Sequence, residues 1–228
     1  MTLQKERESK PRGPYKNGLR RRREIVEAAT VVFGQFGYHG GSLRTIAEMV
    51  GTTPATLVSY FTSKELLLVA VLENWSEVSS QAEGEHGLSC FRANIPLMRY
   101  HLEHPGLIQL FLTMSTEATQ LDHPARPFIL ERQEQTRRVM TEELQRAIDD
   151  GDVLPMSSEV VDWEVRLMIG VLDGVELGWI TDPAVDLQGI VRYHVDEAIA
   201  RWTGRPIDAI RRETDDYLEA KMQQARLA

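Results

Sequence analysis

Three things are scarce in this chain of 228 residues: cysteine, with Cys90 alone, aromatic residues, at 7%, and long apolar runs. A single thiol cannot form an intramolecular disulfide framework and suits a reducing cytosol. No stretch approaches the ~18 apolar residues of a membrane-spanning helix, and the N-terminus is polar throughout. Neither a membrane span nor a signal peptide is expected, and the expected location is cytoplasmic. Strand and hairpin signals are missing too. So are a nucleophile motif, a phosphate loop and metal-ligand spacing, so no catalytic residue, cofactor or metal is expected and the chain does not read as an enzyme.

What is present is an uneven charge. The net charge is −8, yet residues 1–72 hold 11 Lys and Arg against 6 Asp and Glu, while residues 73–228 hold 15 against 28. Phosphate attraction is local, screened beyond about 8–10 Å at ordinary ionic strength. A basic head on an acidic body can therefore meet DNA in one orientation while the body stays soluble. Residues 1–18 are charged and bear Pro and Gly without periodicity, which predicts a flexible basic arm. Arg20-Arg21-Arg22-Arg23 follows, either lying on phosphates, entering a minor groove, or simply opening a solvated helix.

The most informative segment is Ser42–Lys64. Ser42 reads as an N-cap, Ile46, Ala47 and Val50 recur on one helical face, and Gly51 ends that helix where a left-handed residue costs nothing. Thr53 caps a second short helix with Pro54 in its first turn. Leu57 and Phe61 anchor that helix inward, leaving Pro54, Ala55, Thr56, Val58, Ser59 and Tyr60 outward, none of them acidic. Thr62 to Glu65 has capping-box form, with Thr62 as N-cap of the next helix. Two short helices around a Gly turn form a helix-turn-helix, whose second helix enters the DNA major groove, the alternative being a helical hairpin of an ordinary all-α domain. Upstream, Ile25, Ala29, Val32, Phe33 and Phe36 make one stripe for a helix packing over the pair. Lys64, at the start of the helix after the recognition helix, should meet phosphate, and Arg44 a phosphate or a guanine edge.

Together, Ile25-x3-Ala29-x3-Phe33-x3-Gly37, Thr45-Ile46-Ala47 before Gly51, Thr56-Leu57, Tyr60-Phe61 and Ser63-Lys64-Glu65-Leu66-Leu67 resemble the N-terminal domain of the TetR family of one-component transcriptional repressors. The resemblance covers residues 20–72. It implies that Ser42, Thr53, Thr56, Ser59 and Tyr60 contact DNA beside Arg44, Pro54 and Lys64. Val58 stands where the family commonly has an aromatic, so the family's usual backbone contact is not carried over to that position, while the fold expectation stands. The resemblance further implies a homodimer on palindromic double-stranded operator DNA, released by a small-molecule effector. A ligand-independent dimeric DNA-binding protein is the rival reading.

The remainder reads as helices near 64–82, 88–103, 106–119, 125–149, 158–181, 186–203 and 206–225, bounded by turn signals such as His104-Pro105-Gly106 and Asp182-Pro183. The expected fold is thus all-α with about ten helices: a three-helix helix-turn-helix domain over 19–72 and a helical regulatory and dimerisation domain over 73–228. Gly170, Gly174 and Gly178 form a narrow stripe, and Leu187 to Trp202 an apolar face carrying Val195 and Ile199. These faces serve either a dimer seam or a monomer's core, the family resemblance favouring the seam.

Asp162, Arg166, Asp173 and Glu176 share a stripe of the 158–181 helix, where acids need a partner or water. Either Arg166 satisfies them, or Asp173 and Glu176 line a cavity or the seam. Met98, Phe111, Met114, Met140, Trp163 and Met168 are candidate apolar walls, although each also suits plain core packing. The ligand expected there is apolar or aromatic, oriented by one or two polar groups from the 125–149 and 158–181 helices. His101 and His104 have spacing that a metal can use, but an exposed helix end is the expected state.

Overall fold

A computed structural model describes residues 14–79, 85–123 and 125–227. Its helices are α1 (Pro14–Gly40), α2 (Leu43–Met49), α3 (Pro54–Phe61), α4 (Lys64–Ser79), α5 (Leu88–Arg92), α6 (Asn94–Glu103), α7 (Pro105–Glu117), α8 (Arg126–Asp149), α9 (Ser158–Thr181), α10 (Leu187–Thr203) and α11 (Ile207–Leu227). The fold is all-α, with no strand among the described residues. The extra helix over the expected ten arises because 88–103 is broken. Pro96, in the first turn of α6, cannot donate to the preceding turn, and the Asn94 amide donates to the carbonyls of Cys90 and Phe91. Side-chain bonds of this kind replace the backbone bonds that a continuous helix needs.

In the head, α1 packs on α2, α4 and the body helix α7. Helix α1 starts at Pro14, inside the stretch expected to be an arm, and residues 1–13 lie outside the described residues. The chain breaks at Gly37, whose φ of 68° is one that a Cβ disfavours, and turns Tyr38 and His39 out of the helical register. Phe36, expected inward, is 57% exposed. The body meets α1 at Gly34, and Phe36, about 200° further round the helix, is left on the open side.

The body is built around α10, which is packed by α5, α6, α9 and α11. Trp202 at its C-terminal end is buried and lies edge-on to Phe91 at 4.8 Å. Val195 and Ile199 have no exposure within one protomer. They are core residues here, so the expected seam cannot run through them. Helix α11 is bolted on by polar bonds: Thr214, fully buried, donates to Asp196 Oδ1 at 2.7 Å and accepts from Arg92 Nε at 3.2 Å, and Arg92 also pairs with Glu213 at 3.0 Å. Such a network satisfies three buried polar groups at once, which makes it specific about where α11 sits.

Candidate nucleic-acid interface and effector region

The geometry of the head follows its capping residues. Ser42 Oγ accepts from Thr45 N at 3.1 Å and Thr53 Oγ1 from Thr56 N at 3.3 Å, satisfying amide groups that each short helix leaves open. Gly51, at φ 63°, makes the turn between them. Leu57 and Phe61 are buried while Pro54, Val58, Ser59 and Tyr60 are exposed, with Thr56 half-buried. One face of α3 therefore stays free for a groove. The hydroxyls of Ser42, Thr53 and Thr56 are engaged in capping, and Ser59 Oγ donates to the Thr56 carbonyl at 2.7 Å.

One local expectation is corrected. Thr62 does not cap α4 but ends α3 with a φ of 68°, its amide donating to Val58. Ser63 is the cap, its Oγ accepting from Leu66 N at 3.2 Å. Glu65, freed from the capping-box role, accepts from the Tyr38 hydroxyl at 2.8 Å. A bond from its own backbone amide, and then those from Tyr38 and Ser63, hold its carboxyl below the usual range.

The basic residues are distributed unequally. Arg44 pairs with Glu48 at 2.9 Å on an exposed surface, which raises its already high pKa. Arg22 stacks its guanidinium 5.0 Å from the Phe61 ring, and Arg21 bridges Glu24 and the Gly51 carbonyl. Lys64 lies 4.4 Å from the Tyr38 ring centroid, and burial lowers its pKa while Glu65 opposes that.

In the body, the acids of α9 split into two groups. Asp162 is tied on the outside by Arg166 at 2.7 Å and Arg137 at 3.0 Å. Glu176 is buried and meets His101 Nδ1 of α6 at 2.6 Å. Neither His101 nor His104 is an exposed helix end: His101 is buried, and His104 stacks on Tyr100 at 4.2 Å while its Nδ1 donates to the Tyr100 carbonyl. Arg132 of α8 lies over the Phe111 ring at 5.5 Å, its pKa lowered by burial against the opposing pull of Glu176 and Asp173. Asp173 is pushed up to about 6 by desolvation and then by Glu176, with Arg132 opposing.

Met98, Met114, Met140 and Met168 are all buried and belong to the common core, and Phe111 packs half-buried against it. Trp163 does not join them. It is 54% exposed, on the outward side of α9. Sequence reasoning noticed His101 only for its spacing from His104, not as the partner of Glu176, and missed Arg132, which has no motif. The one usable signal was that acids on the largely apolar α9 require partners, which facing helices supply.

Residues 25–71 match the family model described as bacterial regulatory proteins, tetR family. Residues 25–71 are thus similar to the N-terminal DNA-binding domain of the TetR family. Over 52 residues it is 46% identical to the HTH-type transcriptional regulator RutR of Escherichia coli (strain K12), covering 23% of this chain and 24% of that protein. It thus spans about a quarter of the length of the curated relatives it first matches. In fold the likeness is longer. A TetR-family transcriptional regulator from Cytophaga hutchinsonii superposes with a TM-score of 0.69 at 18% identity, covering 83% of this chain and 98% of that one. The transcriptional regulator FadR from Bacillus subtilis in complex with stearoyl-CoA gives 0.63 at 18% identity, covering 78% and 97%.

One further surface of the chain stands open. On α9, Trp163, Leu167 and Leu177 are exposed, and a Cβ added at Gly170, Gly174 or Gly178 would meet nothing within 4 Å. Ile190 and Tyr193 of α10 are exposed as well. The stripe from Trp163 to Leu177 runs ~21 Å along the helix. Among the described residues, no single helix is long and apolar enough to cross a membrane.

Proposed function

We propose that this chain is a cytoplasmic transcriptional repressor that binds palindromic operator DNA as a homodimer and leaves it when a small molecule occupies the body. The observation carrying the DNA reading is the free, non-acidic face of α3 on a head whose sequence is basic. Hydroxyl and methyl groups of Thr56, Ser59, Pro54 and Val58 suit base edges and thymine methyls, and Tyr60, Ser42, Thr53, Arg44 and Lys64 suit phosphates. Arg44 must exchange Glu48 for the DNA, which reduces what it contributes. Two heads related by a two-fold axis match two half-sites, so tilting them apart removes simultaneous major-groove contact.

The effector reading rests on the polar groups His101, Arg132, Asp173 and Glu176 set against Met98, Phe111, Met114, Met140 and Met168. Apolar walls with a few convergent polar groups are the usual composition of a ligand site. The FadR relative, bound to stearoyl-CoA, supports an elongated apolar ligand with a polar end. Trp163 falls outside this set and belongs with the open face of α9. A ligand moves the DNA equilibrium only through unequal affinity for two conformations. About 1–3 kcal/mol of coupling would lower operator affinity about 5- to 150-fold.

The test of the DNA reading is binding to a duplex across a salt series. Lys64→Ala should weaken binding to all sequences alike and flatten the slope by about one unit. Unchanged affinity for both Lys64→Ala and Tyr60→Ala would end this placement. The effector reading fails, leaving the ligand-independent dimer, if no member of a panel of acyl and aromatic compounds shifts DNA binding.

A further inference from the structure

The head holds its two groove-side cations in different ways. Arg44 is held by a carboxylate, Glu48, which cancels its charge. Lys64 is held by aromatic faces, with Nζ 4.4 Å from the Tyr38 ring centroid and 5.9 Å from that of Phe33. A ring face attracts a cation through its quadrupole and leaves the net charge in place. An ammonium so held is localised and partly dehydrated, yet still a full positive charge for a phosphate.

The ring itself is fixed from several sides. Its hydroxyl donates to Glu65 Oε1 at 2.8 Å, which engages the carboxylate next to Lys64 in sequence. The His39 ring lies edge-on to it at 5.3 Å, and the Phe33 ring is tilted against it at 6.0 Å. His39 is in turn gripped by Glu117 of α7 at 2.7 Å. Tyr38 reaches this place because the helix breaks at Gly37.

From this arrangement we infer that Tyr38 is a positioning residue for Lys64: its ring places the lysine ammonium at the start of α4 for a DNA phosphate without neutralising it. The inference rests on the DNA-binding reading above and adds a residue that does not itself touch DNA. It also supplies a route by which the body acts on a phosphate contact, since Glu117 holds the neighbour that braces the ring.

The experiment is a double-mutant cycle in the full chain, with a 30-base-pair mixed-sequence duplex at low salt as the probe. Tyr38→Leu and Tyr38→Met should each weaken binding about 3- to 10-fold, the size of a partly exposed cation–π contact. Tyr38→Phe, which keeps the ring, should bind within about twofold of the wild type. In a Lys64→Ala background none of the three should change the affinity further. A merely structural role for Tyr38 predicts equal losses in both backgrounds, and that result would overturn the inference, as would wild-type affinity in Tyr38→Met. If Tyr38→Leu does not fold, Tyr38→Met, which fills similar volume without a π face, is the deciding variant. Failure of the wild type to bind the duplex at any salt concentration would instead remove the DNA-binding reading and this inference with it. Wild-type binding without coupling in the cycle removes only the inference.

Discussion

Gly106 of α7 and Gly34 of α1 touch backbone to backbone: a Cβ built on Gly106 would lie 2.4 Å from the Gly34 carbonyl oxygen. Both atoms are main chain, so no rotamer change relieves the clash, and the whole of α1 would have to move. This contact joins head to body. Gly106→Ala should therefore destabilise the chain by about 1–3 kcal/mol, the usual cost of overpacking. Gly34→Ala is the control. Its Cβ would sit 3.6 Å from Gly106, an ordinary contact, within a helix where Ala is preferred over Gly. Urea denaturation should show the first variant weakened and the second unchanged or slightly stabilised. Equal effects would mean that the close approach is not rigid.

The open face of α9 predicts where a second copy would sit. Leu167 is 58% exposed in one protomer, and Gly170 and Gly174 beside it have space above them. Leu167→Glu should leave the protomer folded while placing an unpaired charge in a desolvated seam, which costs several kcal/mol of association. Sedimentation should then show a folded monomer at concentrations where the wild type is dimeric. Val195→Glu, with no exposure to begin with, should unfold the chain instead. A Leu167→Glu chain that dimerises like the wild type would move the seam elsewhere.

The head was legible because its signals are local. Ser42 and Thr53 cap helices a few residues away, and Leu57 and Phe61 turn inward by spacing alone. The break at Gly37 was legible only as a glycine, since nothing local says that Tyr38 must then reach Glu65, 27 residues on. In the body, helix positions followed from turns, but partners did not. His101 finds Glu176 across 75 residues and Arg92 finds Thr214 across 122. Such pairings depend on how helices are stacked, which periodicity does not encode. For the same reason Trp163 looked like a cavity wall and Val195 like a seam residue, because an apolar side chain specifies burial without specifying by what.

Cys90 offers a simple check on the interior. It is buried, and desolvation, aided by Glu143 and Glu85, pushes its thiol up to about 12. The thiolate is the reactive form, so almost none exists at neutral pH in the folded chain. A chromogenic disulfide reagent should leave native protein untouched for hours and label one equivalent at once in denaturant. Fast labelling of native protein would mean that α5 opens.

Asp173 should give the body a pH dependence of definite sign. Its folded pKa of about 6 lies above the 3.8 of an unperturbed Asp carboxyl, so across that interval the folded chain keeps a proton that the unfolded chain has released. When the folded state binds more protons, stability falls as pH rises. The contribution is therefore fully present below about 4 and lost as the pH passes about 6. Because the residue is exposed, solvent screening reduces the size of the effect, and its direction is the test. Asp173→Asn carries no charge at any pH, so subtracting its denaturation free energies from those of the wild type removes every other titrating group that the substitution leaves alone. The difference, wild type minus variant, should decline between pH 4 and pH 7 and then level off. Arg132 opposes the shift, so Arg132→Gln should steepen the decline in the Asp173 chain and flatten to nothing when combined with Asp173→Asn. A difference that stays level or rises with pH would mean that Asp173 is already ionised in the folded body, with Arg132 outweighing both its desolvation and Glu176.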